Sequence, residues 1–491
     1  MLRMPETGHS KDELFAELEE LRTRDVPWRD GKTFAYVFHA TEAAAAVAER
    51  AYQMFLWENA LDPTVFPSLL EIETQIVSMA ATHLSGDDEV CGNFTSGGTE
   101  SVLLAVKTAR DYARARNPDL GRGQVVLPVT AHPCFHKACA YFDLEAVVTP
   151  VDPTTFQADV DAMRAAITDR TVLLVGSAPS YAHGVVDPIP AIGQLALEHE
   201  LLFHVDGCIG GFLLPFFNEI AREKGAEPVA FDFSVPGVTS ISMDFHKYAF
   251  AAKGASVVLY RNPEIRRHQI FSYSGWPGYS IVNPTVQSSK SGGPLAACWA
   301  VLRFLGHDGY LDIVRALADA TERFRRGIDA IDGLRVLGDP KMTLIATAAE
   351  GCDVFALCDE MKRRGWTMHP QMRLDTPAGR LEPSFHLTVT PINIPHTDAF
   401  LDDLAAAVAA ARAAGPPSPS PLMAAVSAVD FDRLTDAQIG QLLEMAGLSG
   451  GALPGDEMAD VNRVLDALPP AVTDRVLRLY YNQLSRYRER A

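Results

Sequence analysis

The stretch ISMDFHKYAFAAKG, residues 241–254, sets His246 and Lys247 directly behind an apolar alternation, with a second lysine, Lys253, six residues later. An ammonium at the end of a buried strand is costly unless it is paired, deprotonated or covalently used. The plainer alternative is a strand end whose lysines reach solvent. Two other stretches carry chemistry of the same kind. In NFTSGGTES, residues 93–101, glycines let backbone approach an anion closely, and the helix that follows offers free N–H groups. No Gly-Lys-Ser/Thr of a nucleotide loop follows it, it is not GxGxxG, and an ordinary turn with a helix cap accounts for it equally well. In LLFHVDGCIGGF, Asp206 follows an apolar strand at once. It reads either as a turn aspartate or as a buried carboxylate paired with a cationic ring nitrogen.

Together these three elements meet the needs of one cofactor, pyridoxal 5′-phosphate. A phosphate cup holds one end, a strand-end aspartate keeps the pyridine nitrogen protonated, and a lysine condenses with the aldehyde. Such a site explains a lysine in a low-dielectric pocket.

The elements that must position these groups can be read from periodicity. Residues 11–22 and 66–84 carry apolar residues at helical spacing, and TESVLLAVKTARDYARAR is a further helix with Glu100 in its first turn. Strands (GQVVLPV, EAVVTPV, TVLLVGSA, LLFHVDG, SISMD, ASVVLY) then alternate with helices (PCFHKACAYFD, PTTFQADVDAMRAAI, DPIPAIGQLALEHE). Near-continuous apolar strands alternating with helices predict an α/β fold, a mostly parallel sheet covered by helices on both faces. The expected organisation is an N-terminal segment with helices over 1–65 and a large cofactor domain over 66–305. A smaller α+β domain follows over 306–414, with β-like runs at LRVLG, TLIATAA, DVFALC and SFHLTVT. Residues 415–491 form a Pro/Ser linker and a helical appendage.

Composition narrows the partners. The chain has 491 residues, 47% of them hydrophobic, and a net charge of −19. That charge argues against nucleic acid and against a polybasic membrane contact. No run of about 18 apolar residues is present to span a bilayer, and the polar N-terminus lacks a signal-peptide core. Seven scattered cysteines without Cys-x-x-Cys fit a reducing cytoplasm, with no disulfide framework and no metal site.

Five motifs in order, TSGGTES, TAHPCFHKACAYF, GSAPSYAHGVVDPI, HVDGCIGGF and DFHKYAFAAKGASVVLY, resemble the sphingosine-1-phosphate lyase-like members of the group II pyridoxal phosphate-dependent decarboxylases. The resemblance runs from about Gly31 to His396. It implies fold type I, the PLP-dependent transferase-like architecture, and a homodimer with sites at the subunit interface. It makes Lys247 the cofactor lysine, Asp206 the pyridinium partner and His132 the histidine that stacks on the ring. Gly97, Gly98 and Thr99 match the phosphate cup with His246 near it. Cys208 matches the small residue beneath the ring, and Lys253 matches a second lysine close to phosphate groups. His136 and His204 are left to structure. Three departures bear on substrate. Phe38 stands where such lyases carry tyrosine, Asp62 where they carry histidine, and SSKSGG (Ser288–Gly293), with Lys290, where they carry Gly-Ser-Arg-Pro-Gly.

The resemblance therefore implies a PLP-dependent carbon–carbon lyase acting on a small amino substrate. The expected outcome is aldehyde-releasing retro-aldol cleavage of a substrate without phosphate, because Phe38 has no hydroxyl donor and Asp62 would repel a dianion. An amino acid decarboxylase is the alternative, with Arg373 or Lys290 available to a carboxylate; surface charge is the simpler role for Arg373. An aminotransferase fits the motifs less well.

Overall fold

A computed structural model describes residues 3–376, 379–415, 421–427, 434–448, 455 and 457–486. Of the Pro/Ser stretch expected to be a linker, Gly415–Met423, residues 416–420 lie outside the described residues, and Pro421 opens the helix Pro421–Ser427, so the last three residues are helical.

Seven strands form the central sheet: β1 (Cys91–Thr95), β2 (Gln124–Pro128), β3 (Glu145–Thr149), β4 (Thr171–Ser177), β5 (Leu202–Asp206), β6 (Ser240–Asp244) and β7 (Ser256–Tyr260). Their spatial order is β1-β7-β6-β5-β4-β2-β3. The pairs from β3 across to β6 are parallel, and β7 runs antiparallel to both its neighbours. Strands β2, β4, β5, β6 and β7 are buried along their whole length, as expected of strands packed on both faces. The mostly parallel α/β sheet predicted from alternation is therefore present. Sequence periodicity did not supply β1 or the reversal at β7.

An exposed hairpin, β8 (Phe271–Tyr273) and β9 (Ile281–Asn283), precedes a long helical run, Gly292–Asp329, broken by the non-helical backbone of Gly306. A second, antiparallel sheet follows, in the order β10 (Leu334–Val336), β11 (Leu344–Ala349), β15 (Ser384–Thr388), β12 (His369–Gln371), with a small ribbon of β13 (Leu374–Thr376) and β14 (Gly379–Leu381) beside it.

Two local expectations change. DVFALC, read as β-like, opens the helix Val354–Arg363, because the Asp353 carboxylate caps it by accepting from Ala356 N–H at 2.7 Å. The helix expected over PTTFQADVDAMRAAI begins only at Val160. Asp152 accepts from the N–H groups of Thr154 and Thr155, which turns the chain first, and Asp159 is the cap.

The C-terminal helices dock on this second unit through buried charge. Both oxygens of Asp359 accept N–H groups from Met458 and Ala459, and Arg463 pairs with Asp353 at 3.1 Å. Arg373 pairs with Asp466. It is bound up in this docking and does not line the cavity described next.

Candidate active site

The parallel strands release their last residues at one edge of the sheet, where open α/β sheets bind ligands. Ser177, Asp206 and Asp244 are the final residues of β4, β5 and β6, and all three line one cavity of about 490 Å³. Lys247 lies three residues beyond β6 and reaches back so that its Nζ sits 2.9 Å from Asp244 Oδ2. Burial works against the Lys247 ammonium, but Asp244, helped by Asp206, outweighs it and raises its pKa. Burial likewise opposes the charge on Asp244, yet Lys247 and His246 hold its carboxyl below the usual range. Asp244 is thus the counter-charge for any cationic nitrogen at Lys247. Its other oxygen, Oδ1, is buried without a hydrogen-bond partner.

The remaining sequence candidates fall on both sides of this pair. Asp206 Oδ1 accepts from Cys208 N–H at 3.0 Å and from Ser242 Oγ at 3.4 Å, which fixes the carboxylate in the cavity wall. Cys208 is buried, and its thiol is pushed well up by burial, so it is a neutral packing group. His132 lines the cavity, and its Nδ1 accepts Cys134 N–H, so the neutral ring carries its proton on Nε2. Burial lowers its pKa and favours that neutral ring. Gly97, Gly98 and Thr99 open the helix Gly98–Arg116, whose N-terminus has no side-chain cap. A Cβ on Gly98 would lie 2.7 Å from Cys208 Sγ and 2.9 Å from both Asp244 oxygens, so only glycine fits. Glu100 ties this turn down: one oxygen accepts from Ser96 N–H and Oγ, the other from Val286 and Gln287 N–H. His246 Nδ1 accepts Ala255 N–H beside the same turn. Lys253 Nζ donates to the carbonyls of Tyr36 and His246 and lies 5.2 Å over the Phe38 ring.

Two expected substrate residues are elsewhere. Lys290 is buried in an ion pair with Glu73 at 2.6 Å, where Glu73 also accepts from Asn93 and Phe94. It braces β1 against the helix Pro67–His83 and is outside the cavity. Asp62 is exposed, and its Oδ1 takes the N–H and O–H of Thr64, a turn the sequence NALDPT favours. Those hydrogen bonds lower its pKa. His204, left to structure, is buried between Ser240 and Ser242, and His136 is exposed outside the cavity.

Sequence reasoning did not pick out Asp244, Tyr36, Tyr181 or Thr388, which also line the cavity. Asp244 had a readable signal: it ends an apolar strand three residues before Lys247, as Asp206 ends its own. Tyr36, Tyr181 and Thr388 come from three distant segments, and no local pattern joins them.

The donor set fits pyridoxal phosphate. The uncapped helix N-terminus with His246 suits a phosphate, Asp206 suits a protonated ring nitrogen, His132 offers a neutral ring face, and Asp244 steadies a cation at Lys247. Residues 2–349 match the family described as Pyridoxal-dependent decarboxylase conserved domain. The chain belongs to that family.

Within this decarboxylase family the chain is similar to sphingosine-1-phosphate lyases. It is 39% identical to the sphingosine-1-phosphate lyase of Oryza sativa subsp. japonica, over 82% of this chain and 73% of the relative. It is 37% identical to that of Dictyostelium discoideum over the same shares. A solved sphingosine-1-phosphate lyase from Burkholderia pseudomallei superposes with a TM-score of 0.78 at 36% identity, covering 84% of this chain and 94% of that one. Residues 402–483 match a second profile, Pyridoxal-dependent enzyme, C-terminal putative HTH domain. The protein is thus a PLP-dependent lyase. A pyridoxal phosphate held at Lys247 would supply an electron-accepting ring, with Asp206, His132, His246 and the helix N-terminus at Gly97–Thr99 as the residues that would hold it and Asp244 as the counter-charge.

Proposed function

We propose that the protein is an aldehyde-releasing carbon–carbon lyase acting on a β-hydroxy amine that carries no phosphate. The observation that carries this reading is the cavity's lining. It includes the hydroxyls of Tyr36, Tyr181 and Thr388, and no arginine among the described residues. Phosphate and carboxylate groups are best held by the planar arginine fork. Lys253 is the lysine left over from the cofactor, and two of its donors are committed to backbone carbonyls. Phe38, at the cavity wall, adds an aromatic face and no donor. A decarboxylase would need a cation for the leaving carboxylate, and the two candidates, Lys290 and Arg373, are held by Glu73 and Asp466.

The working unit in this proposal is a homodimer in the cytoplasm, with 66–305 as the cofactor domain and 306–414 as the smaller one. Leu14, Phe15, Leu18 and Leu21 form an exposed apolar stripe on the helix Lys11–Arg22, and Phe271, Tyr273 and Val282 of the hairpin are exposed as well. A second copy of the chain is the partner that such faces support. No helix among the described residues is long and apolar enough to cross a membrane. All seven cysteines are free, in keeping with a reducing compartment.

The test is a panel of amino substrates given to the PLP-loaded enzyme, with aldehyde, CO₂ and keto acid measured together. Aldehyde from unphosphorylated β-hydroxy amines, with kcat/KM above that for sphingosine-1-phosphate, is expected. A higher kcat/KM for the phosphorylated base, or CO₂ as the product, would refute it.

A further inference from the structure

A row of polar side chains reaches back from the cavity wall into the central sheet, on strands that are otherwise apolar. His204 and Asp206 of β5 lie two apart and so share a face, and β6 sets Ser240 and Ser242 opposite them in register. His204 and Ser242 are fully buried and Ser240 nearly so. Polar groups so placed must satisfy one another. Ser240 Oγ lies 2.8 Å from His204 Nδ1, His204 Nε2 lies 3.2 Å from Ser242 Oγ, and Ser242 Oγ lies 3.4 Å from Asp206 Oδ1. Cys208 closes the group, with its Sγ 3.3 Å from Ser242 Oγ and its N–H on Asp206 Oδ1 at 3.0 Å. The Phe135 ring packs edge-on against the His204 imidazole, 5.8 Å between centroids.

The carboxylate fixes the direction of these bonds. Asp206 only accepts, so Ser242 spends its one O–H on Oδ1. Ser242 Oγ then accepts at its lone pairs, from His204 Nε2–H and from the Cys208 S–H, which burial holds protonated. His204 thus carries its proton on Nε2. Its ring is neutral, because burial outweighs the pull of Asp206 and lowers its pKa to about 4. Nδ1 is therefore bare and accepts the Ser240 O–H. The opposite tautomer would draw the Ser242 O–H away to His204 and leave two lone-pair oxygens facing each other at Asp206. Every donor in the row points the same way, from Ser240 to His204 to Ser242 to Asp206. Both donors to Asp206 fall on Oδ1. Oδ2 has no hydrogen-bond partner among the described residues and is the oxygen left to the cavity.

We propose that Ser242 and His204 are positioning residues for Asp206: the directed row holds its carboxylate ionised and turned, with Oδ2 offered to a protonated ring nitrogen. The proposal rests on the reading of Asp206 as the pyridinium partner. Burial favours the neutral carboxyl, whose proton would come from that same nitrogen. Donors aimed at the charged form oppose this, and a donor that itself accepts from another is strengthened. The Ser242 link is long at 3.4 Å; His204 behind it and the Cys208 N–H beside it complete the hold on Oδ1. The proton then stays on the ring side, where an electron-accepting ring needs it.

Two ¹⁵N measurements on the PLP-loaded enzyme test the proposal, and neither needs turnover. With labelled histidine, the signals lost in His204→Gln should belong to a neutral ring protonated on Nε2. Should that variant not fold, the signals that move in Ser240→Ala identify the same ring. With the cofactor labelled at its ring nitrogen, Ser242→Ala should move that shift from the protonated towards the unprotonated value while the cofactor stays bound. With any amino substrate that the wild type turns over, the same variant should lose about tenfold in kcat, the size of one hydrogen bond, with KM little changed. A side chain that only fills space would leave the ring-nitrogen shift where it is. A His204 protonated on Nδ1, or an unmoved cofactor shift in Ser242→Ala, would overturn the proposal. Asp206→Asn separates this from the reading beneath it. A cofactor shift that moves in Asp206→Asn but not in Ser242→Ala sinks the positioning row alone; one that moves in neither sinks the pyridinium reading with it.

Discussion

Lys247 and the two carboxylates around it divide the work by distance and burial. Lys247→Ala should remove the visible absorbance of the lysine–cofactor linkage, and borohydride reduction of wild type should label Lys247; label on Lys253 would reassign the lysine. Asp206→Asn keeps the shape and removes the charge. A loss of at least about a hundredfold is expected, roughly 2.7 kcal/mol of transition-state stabilisation, measured as kcat/KM in cofactor-loaded protein. Asp244 acts on the lysine nitrogen, 2.9 Å away. Removing an opposite charge at that range lowers a cation's pKa by about 1–3 units, so in Asp244→Asn the pH at which the linkage loses its proton should fall by that amount. A spectrophotometric titration reads this without turnover.

Elements hold these groups in place through contacts far from the chemistry. The Glu73–Lys290 pair joins the helix Pro67–His83 to β1 and to the start of the long helical run Gly292–Asp329. It is buried, and Glu73 also satisfies Asn93 and the Phe94 N–H. Removing one partner leaves a buried charge unpaired, which costs about 3–5 kcal/mol. Lys290→Met should show that loss in urea unfolding while the folded protein still binds cofactor. A variant with normal stability and a changed substrate preference would return Lys290 to the site.

For the whole molecule, buried histidines set the response to acid. Burial pushes His183 and His204 down to about 4 and, with its neighbours, His386 to about 3. In the unfolded chain all three charge below about pH 6.5. Asp187 works the other way, its carboxyl raised by burial to about 6, so the native state takes up that one proton early. Near pH 5 the unfolded chain therefore binds three protons more at the histidines and one fewer at Asp187, a net of two. Stability should fall as pH drops from about 6.5 towards 4, by about 2.7 kcal/mol per pH unit near pH 5. Urea midpoints at pH 7, 6 and 5 check this, and a flat series would contradict it.

Periodicity and spacing were enough to predict the sheet's parallel strands, because a strand buried on both faces must be apolar throughout and its connecting helix must alternate with it. They were also enough to nominate Lys247 and Asp206, since a charged residue at the end of such a strand is conspicuous. Asp353 and Asp152 overrode the expected local structure in DVFALC and PTTFQADVDAMRAAI, because one carboxylate accepting backbone N–H groups outweighs a weak propensity. What tertiary structure alone decided was which polar groups meet. Lys290 is 217 residues from Glu73 and Tyr36 is 333 from His369, as their positions in the chain show. Each pair exists only because separate elements pack against each other. Sequence records which groups can ionise or donate; the packed fold decides which of them are already satisfied and which face a ligand.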